Sequence, residues 1–536
     1  GLMQMIDDQL VLVPGGARFA SEKIYAILPW DESIAKHSND LLIGTLALGW
    51  FVFNGTSYRP WVTEADAALK RDKISYAIWL ADGTLAVATL LGGVSIFDDQ
   101  GRLLRHLTKT NGLADSSVKA LFQDRQGGLW TALEVGISRI NLGSPVTHFD
   151  DRAGLVGSVY SLQRHRGHLY AGTAQGLFRL DNKSAVSARF VQIPQVSSQC
   201  WAFLDLGHTL LLASHVGVWE IGDDYVKKVR ASELASRFLL RSKQDPSRIF
   251  VGLHDGVASL RMEISGWVDE GKIAGISDLT TTLFEGPDGR LWLGNSNEGV
   301  SRISFPSGWP ASRSAGSQAR VERFGDPEGL PPGENYVYPI DGLPVFNSTS
   351  GGLFQFDASR ERFVPDKRFA TLFPAGSRQV FPIQGADGRV WIHADQSSSL
   401  EETRATEKGV DGNYRWVPAP PQPIGRRNIT AIYGEPDGVT WFGGAKGLFR
   451  YDPAMSVIND PGFTALIHEV IGQDGSPVAG GIGRQAVPAI EYANNALRIE
   501  FAAPSYDSID ANRFQVRMEG LDQTWSSWSR ETYRHY

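Results

Sequence analysis

Short apolar runs separated by glycine-containing turns recur along the whole chain. Four segments, 128–139, 168–179, 290–302 and 439–450, share one order: an apolar run around tryptophan or tyrosine, a turn ending in glycine, and a second apolar run. Runs of this length bounded by turn residues are typical of buried β-strands. Weaker copies are centred on Gly49, Gly93, Gly217, Gly256 and Gly352, with a degenerate copy near Gln396.

The copies repeat at the period of a β-propeller blade. Successive centres are 39 to 53 residues apart. A further apolar run precedes each motif across a turn such as 287–289 (Pro-Asp-Gly), and a fourth follows it, such as Val146 to Phe149. Asp-Gly pairs suit tight hairpins, so the pattern predicts four antiparallel strands per repeat. An α-solenoid is excluded because no comparable segment has apolar spacing of 3.6 residues.

The number of copies predicts two propellers in tandem. Ten copies exceed the roughly four to eight blades of one propeller. We therefore expect an all-β chain with about seven blades in each propeller. Residues 1–150 are interpreted as the remnant of a first propeller that begins within a blade, and 151–455 as a second propeller.

The repeat ends after Pro453. Residues 463–471 and 496–503 are strand candidates joined by a glycine-rich stretch, and 514–522 alternates apolar and polar residues as a half-buried strand does. We interpret 456–536 as the start of a truncated immunoglobulin-like sandwich.

Composition excludes several classes of protein. The 536 residues are 42% hydrophobic and 21% charged, which is the balance of a folded globular protein. A net charge of -7 with both signs interspersed argues against a nucleic-acid partner. The single cysteine, Cys200, excludes an internal disulfide framework. No apolar window is long enough to span a bilayer.

The repeats resemble the regulator-propeller repeat of bacterial membrane sensors. Residues 111–132 match that repeat almost throughout, and 447–452 (Gly-Leu-Phe-Arg-Tyr-Asp) match its other half. Residues 503–525 resemble the beginning of the immunoglobulin-like domain, known for its tyrosines, that follows such propellers. Phe514 and Val516 stand where that domain often has tyrosine.

The resemblance implies a periplasmic sensing region of an inner-membrane signalling protein. The expected output, a histidine kinase or diguanylate cyclase, and the expected membrane helix lie outside this chain. The expected partners are a small-molecule ligand such as an oligosaccharide and, through the C-terminal domain, a second copy of the chain.

The search for catalytic chemistry nominates no residue. His165 and His168 have no third ligand at metal spacing and are interpreted as hairpin surface. Glu401 and Glu402 are interpreted as a charged loop. The sequence contains no nucleophile elbow, P-loop or dinucleotide fingerprint, so we expect no catalytic residue, metal or cofactor.

A binding site is a better-supported hypothesis. Alignment of the innermost strands gives an aromatic-rich column that includes Tyr160 and Trp201, and a polar column upstream that includes Arg237, Tyr336 and Asn428. Loops entering these strands surround the mouth of a propeller channel, and aromatic surfaces beside polar donors suit a sugar. We predict a ligand site at Tyr160, Trp201, Arg237, Tyr336 and Asn428.

Three alternatives remain open. Packing of one blade against the next is the preferred explanation of the aromatic column, and a ligand role is kept for the polar column. A propeller lyase or glycosidase requires a carboxylate pair with shifted pKa values in a channel. An adhesion or docking scaffold requires an exposed aromatic patch away from the channel.

Overall fold

A computed structural model describes residues 1–30, 40–181, 188–295, 299–305, 319–372, 378–396, 400–417, 424, 429–455, 463–480, 490–492, 495–506, 509 and 512–536. The chain divides into two compact units, Gly1–Gln123 with Leu129–Ser456, and Asp124–Gly128 with Val457–Tyr536.

The described residues confirm the predicted all-β class. The one α-helix among them, α1, spans Asp66–Asp72, and 3-10 helices span Gly16–Phe19, Lys109–Asn111, Asp151–Ala153, Asp326–Glu328 and Lys367–Phe369.

The N-terminal part of the first unit holds a two-stranded hairpin followed by three sheets. The hairpin is β1 (Met3–Ile6) and β2 (Gln9–Leu12). The sheets are β3 (Ile24–Pro29), β4 (Leu41–Thr45), β5 (Trp50–Phe53) and β6 (Tyr58–Trp61); β7 (Ile74–Trp79), β8 (Leu85–Thr89), β9 (Val94–Phe97) and β10 (Leu103–Leu107); and β11 (Val118–Gln123), β12 (Gly128–Leu133) and β13 (Ile137–Asn141).

Seven four-stranded antiparallel sheets follow. Sheets 1 to 3 are β15 (Val159–His165), β16 (His168–Thr173), β17 (Gly176–Asp181) and β18 (Arg189–Ile193); β19 (Cys200–Asp205), β20 (Leu210–Ser214), β21 (Gly217–Ile221) and β22 (Val226–Ala231); and β23 (Ser236–Arg241), β24 (Arg248–Leu253), β25 (Gly256–Glu263) and β26 (Gly266–Lys272).

Sheets 4 to 7 continue the same order. They are β27 (Thr280–Glu285), β28 (Leu291–Asn295), β29 (Val300–Ser304) and β30 (Arg320–Phe324); β31 (Asn335–Ile340), β32 (Leu343–Ser348), β33 (Leu353–Asp357) and β34 (Arg362–Pro365); β35 (Arg378–Gln384), β36 (Val390–Gln396), β37 (Leu400–Lys408) and β38 (Tyr414–Trp416); and β39 (Ile429–Gly434), β40 (Thr440–Gly444) and β41 (Gly447–Tyr451) with β14 (Val146–Phe149).

The motif glycines have the structural role that the repeat indicates. Gly176 opens β17 at a φ of 132°, and a Cβ there would lie 2.4 Å from the Val196 carbonyl oxygen. The preceding Thr173 hydroxyl donates to the Gly176 carbonyl at 3.2 Å, which stabilises the turn. Glycine therefore allows the hairpin to lie against the loop that leads to the next sheet.

Neighbouring sheets are held together by apolar cores, and these cores form a closed cycle. Sheets 6 and 7 share a core in which the rings of Trp391 and Phe442 meet edge to face at 4.7 Å. Sheets 7 and 1 share another, which contains Trp441 and Phe178. Because the first strand of sheet 1 also contacts the first strand of sheet 7, the succession closes on itself. We call it the seven-sheet cycle.

The outer strand of sheet 7 corrects one sequence-based assignment. Val146 to Phe149 was expected to complete the sheet of β11 to β13, but it pairs with β41, with Phe149 opposite Leu448. The strand that precedes sheet 1 therefore completes sheet 7. This pairing covers a sheet edge that would otherwise expose unpaired N–H and C=O groups.

The second unit contains a sheet in the order β43 (Pro477–Gly480), β42 (Leu466–Ile471), β44 (Arg498–Ala502) and β45 (Tyr533–His535). The prediction of a strand at 514–522 is wrong. This segment makes only an isolated bridge between Phe514 and Ser529 and then turns, with the Asp522 N–H donating to the Met518 carbonyl at 2.9 Å.

Candidate functional site

Six of the seven innermost strands of the seven-sheet cycle contain an extra residue near their start, and only β31 of sheet 5 pairs without one. In sheet 1 the pairing passes from Val159 opposite Thr173 to Ser161 opposite Gly172, so Tyr160 has no partner on the neighbouring strand. Trp201 and Arg237 are the corresponding residues of sheets 2 and 3. Such a β-bulge redirects a side chain out of the regular alternation of the strand.

Backbone hydrogen bonds show that four of the five predicted residues occupy equivalent positions. In sheets 1, 2, 3 and 5 the turn after the second strand donates an N–H to the residue two before the candidate: Ser158, Gln199, Ala235 and Glu334 accept it, at 2.8 to 3.0 Å. Tyr160, Trp201, Arg237 and Tyr336 therefore align with one another. Asn428 lies outside the described residues.

This alignment corrects the two columns read from the sequence. Arg237 and Tyr336 were placed upstream of the aromatic column, yet they share the register of Tyr160 and Trp201. In β7 the extra residue is Ser75. The bulge adds a residue that counting back from the hairpin does not reveal.

Three of the candidates are in direct contact across successive sheets. The rings of Tyr160 and Trp201 stack with centroids 5.0 Å apart and planes at 30°. The Arg237 guanidinium carbon lies 4.3 Å from the centroid of the Trp201 ring. All three side chains are partly buried. Packing between sheets, the alternative to a ligand role, therefore does account for these ring contacts.

Packing leaves polar atoms of this cluster unsatisfied. The Trp201 indole N–H and the Arg237 Nε–H are buried and have no hydrogen-bond partner among the described residues. Buried donors in folded proteins are nearly always paired, and an unpaired one costs about 1 to 3 kcal/mol. Two donors of the cluster therefore lack an acceptor among the described residues.

Tyr336 has a hydrogen-bond partner for its polar group. Its hydroxyl donates to the Glu334 carboxylate at 2.6 Å, and its ring meets Phe381 edge to face at 5.5 Å. Burial and the Glu334 carboxylate raise the pKa of Tyr336, while the positive charge of Arg237 opposes them. Tyr336 is thus neutral at physiological pH and lies within the field of Arg237.

His165 was wrongly interpreted as hairpin surface. Its side chain is 4% exposed, and its Nδ1 lies 2.9 Å from the Asp205 carboxylate of sheet 2. The hairpin of sheet 1 packs against the neighbouring sheet, which buries one of the two histidines. His168 lies in the same hairpin and is exposed.

One group in the second unit has the residue types of a metal site. His468, Glu469 and Glu500 bring their ligand atoms within 4.8 Å of one another, and His468 is exposed. Arg498 already holds the Glu500 carboxylate at 2.8 Å. An arginine in this place neutralises the charge that would attract a cation.

The second unit also has an open apolar cavity of about 430 Å³. Leu466, Ile499, Phe501, Phe514 and Trp525 are among its lining residues. The Trp525 side chain is 58% exposed, so this unit displays apolar surface to solvent.

The closed cycle of four-stranded sheets is the construction of a β-propeller. No family model matches the chain, and no curated protein matches it. The structure is similar to the extracellular domain of a B. thetaiotaomicron protein assigned to the hybrid two-component systems, at 17% identity and a TM-score of 0.65, over 96% of this chain and 68% of that chain.

A second B. thetaiotaomicron extracellular domain, also assigned to a hybrid two-component system, matches over 96% of this chain and 76% of that chain, at 15% identity and a TM-score of 0.43. At 17% identity and a TM-score of 0.65, the first comparison establishes the fold alone, which is all-β with propeller sheets. No helix among the described residues is long and apolar enough to cross a membrane.

Proposed function

We propose that the chain is the periplasmic, ligand-sensing region of an inner-membrane signalling protein, and that it binds a small molecule at Tyr160, Trp201, Arg237 and Tyr336. Asn428 belongs to the proposed site through the sequence alignment alone. The observation that carries the proposal is the pair of buried, unpartnered donors on Trp201 and Arg237. The similarity in fold to the extracellular domain of an assigned two-component protein supports the sensing role.

The ligand class that we propose is a small oligosaccharide or a molecule with similar acceptors. Tyr160 and Arg237 both contact the Trp201 ring, so Trp201 contributes its N–H edge more readily than a bare face. Hydroxyl and carboxylate oxygens are the acceptors that this edge would bind.

The proposal also gives a structural role to the rest of the chain. The seven-sheet cycle is a complete second propeller and the three preceding sheets belong to a first. Residues 456–536 form an immunoglobulin-like domain through which two copies pair. The exposed apolar residues Leu466, Ile467 and Trp525 support a pairing surface there. The output, a histidine kinase or diguanylate cyclase, responds because the ligand binds the two arrangements of the dimer with different affinity.

The test is a calorimetric screen of oligosaccharides, amino acids and aromatic acids against the wild-type chain, Trp201→Phe and Arg237→Ala. We expect a ligand whose affinity falls in both variants. Trp201→Phe keeps a six-membered ring beside Tyr160 and removes the indole N–H together with the five-membered ring that carries it. Trp219→Phe is its control, because the Trp219 indole N–H already donates to Ser214 at 3.0 Å in the same sheet.

Two results would contradict the proposal. A ligand that binds wild type and both variants equally places the site elsewhere. Turnover of a screened compound favours the propeller lyase or glycosidase.

A further inference from the structure

Arg237 differs from the most deeply buried arginines of the chain. Arg248, Arg302 and Arg230 each have side chains 3% to 8% exposed, and each forms an ion pair with at least one carboxylate at 2.8 to 3.0 Å. Arg237 is partly buried as well, but among the described residues it has neither an ion pair nor a hydrogen bond. Its guanidinium carbon lies 4.3 Å from the centroid of the Trp201 ring.

The equivalent position outside the seven-sheet cycle shows how such a charge is normally balanced. Lys119 is the extra residue of β11, and its ammonium pairs at 2.6 Å with Glu134, in the turn after β12. In sheet 3 the corresponding turn residue is His254, whose N–H donates to the Ala235 carbonyl. The position that supplies a carboxylate to Lys119 therefore supplies none to Arg237.

The chain contains an internal example of the donor set that Arg237 and Trp201 present. Arg164 donates from Nε and Nη2 to the two oxygens of Glu435, at 2.7 and 2.6 Å. The Trp441 indole N–H donates to the same carboxylate at 2.5 Å. One guanidinium edge and one indole N–H thus hold one carboxylate.

We propose that the ligand carries a carboxylate, held by the guanidinium edge of Arg237 and the indole N–H of Trp201. This inference rests on the proposed function and narrows it to acidic ligands such as sugar acids. A guanidinium edge binds a carboxylate with two parallel hydrogen bonds, as Arg164 binds Glu435. Tyr336 interacts with the charge of Arg237 and donates a hydrogen bond from its hydroxyl to the Glu334 carboxylate at 2.6 Å.

The test measures dissociation constants for acids and their neutral counterparts. The probes are galacturonate and glucuronate with their methyl esters, phenylacetate with phenylacetamide, and sulfate and phosphate as tetrahedral anions. We expect at least one acid to bind wild type about tenfold or more tightly than its neutral counterpart. Arg237→Gln should weaken the binding of that acid by roughly 10- to 100-fold, which is the range for a hydrogen bond to a charged group. The dissociation constant of the neutral counterpart should stay unchanged.

Matched variants separate this effect from unfolding. Trp201→Phe should weaken the binding of the acid by a smaller factor than Arg237→Gln does, because it removes one hydrogen-bond donor of the set. Lys119→Ala should leave affinity unchanged, since it removes a cation at the equivalent position of another sheet. The melting temperature of each variant is measured in parallel, and a variant that has lost the folding transition is replaced by Arg237→Lys, which keeps the charge and loses the two-bond edge.

Each contrary outcome has a distinct meaning. Three results would overturn the carboxylate assignment. They are equal binding of the acids and their neutral counterparts, tighter binding of sulfate or phosphate, and an acid whose dissociation constant does not change in Arg237→Gln. If a neutral sugar then binds in a Trp201-dependent manner, the proposed function stands without it. If no probe and no compound of the wider screen binds, both fail.

Discussion

Removal of the Glu435 carboxylate should destabilise the seven-sheet cycle by about 3 kcal/mol. Glu435 in sheet 7 accepts hydrogen bonds from Arg164 of sheet 1 and from Trp441, and thereby links the two sheets at which the cycle closes. The Glu435 and Arg164 side chains are 11% and 29% exposed. Loss of one partner of a buried ion pair costs about 3 to 5 kcal/mol, and the partial exposure of Arg164 favours the lower end.

The assay is urea denaturation of wild type, Glu435→Ala, Arg164→Ala and the double variant, followed by tryptophan fluorescence. The midpoint and slope give the free energy of unfolding, and the double-mutant cycle isolates the coupling between the two residues. Asp411→Ala is the control, because its pair with Arg415 has side chains 41% and 66% exposed and should contribute far less to stability than a buried pair. A cost below about 1 kcal/mol for Glu435→Ala, or no coupling to Arg164, refutes the role of this pair in closure.

Three further predictions concern the same unit. Burial alone would raise the pKa of Asp341, but hydrogen bonds from Lys408 and others lower it to about 2; a carboxyl with a lowered pKa stabilises the fold fully above pH 4, and this stability, about 1 kcal/mol after solvent screening, is lost as the pH falls from about 4 to 2. Asp341→Asn should show a smaller acid-induced loss in this window, and an identical profile contradicts the assignment. Burial raises the pKa of the Cys200 thiol to about 12, so Ellman's reagent should react with it only after unfolding; rapid reaction in the native protein contradicts this burial. Gly294→Ala would place a Cβ 2.6 Å from the Asn335 carbonyl oxygen of the next sheet and should cost about 1 to 3 kcal/mol in urea, whereas an unchanged midpoint means that the two sheets are less tightly packed.

Local sequence patterns predict the strands of this protein because most strands pair with their neighbours in the chain. A turn such as 287–289 joins two strands that hydrogen-bond to each other, so pattern and pairing coincide. The partner of Val146 to Phe149 is about 300 residues away, and no local pattern reports it. The segment 514–522 fails for the opposite reason: its alternation resembles a strand, while Gly520, at a φ of 87°, turns the chain.

The five site residues stay a prediction, whereas the register that the sequence assigns to Arg237 and Tyr336 is wrong. Aromatic and basic residues near the starts of the innermost strands identified Tyr160, Trp201, Arg237 and Tyr336. Their equivalence depends on a bulge that adds one residue in some sheets and is absent in sheet 5. The sequence does not show either that Arg237 lacks an ion pair among the described residues. This absence depends on which side chains the neighbouring turns supply.

A crystal structure of the chain with the tightest-binding acid of the screen tests the central claim most directly. The proposed function predicts ligand density at the starts of the innermost strands, with a carboxylate within about 3 Å of both the Arg237 guanidinium and the Trp201 indole nitrogen. Density for the acid in the apolar cavity of the second unit, or anywhere that leaves these two donors without a partner, would contradict it.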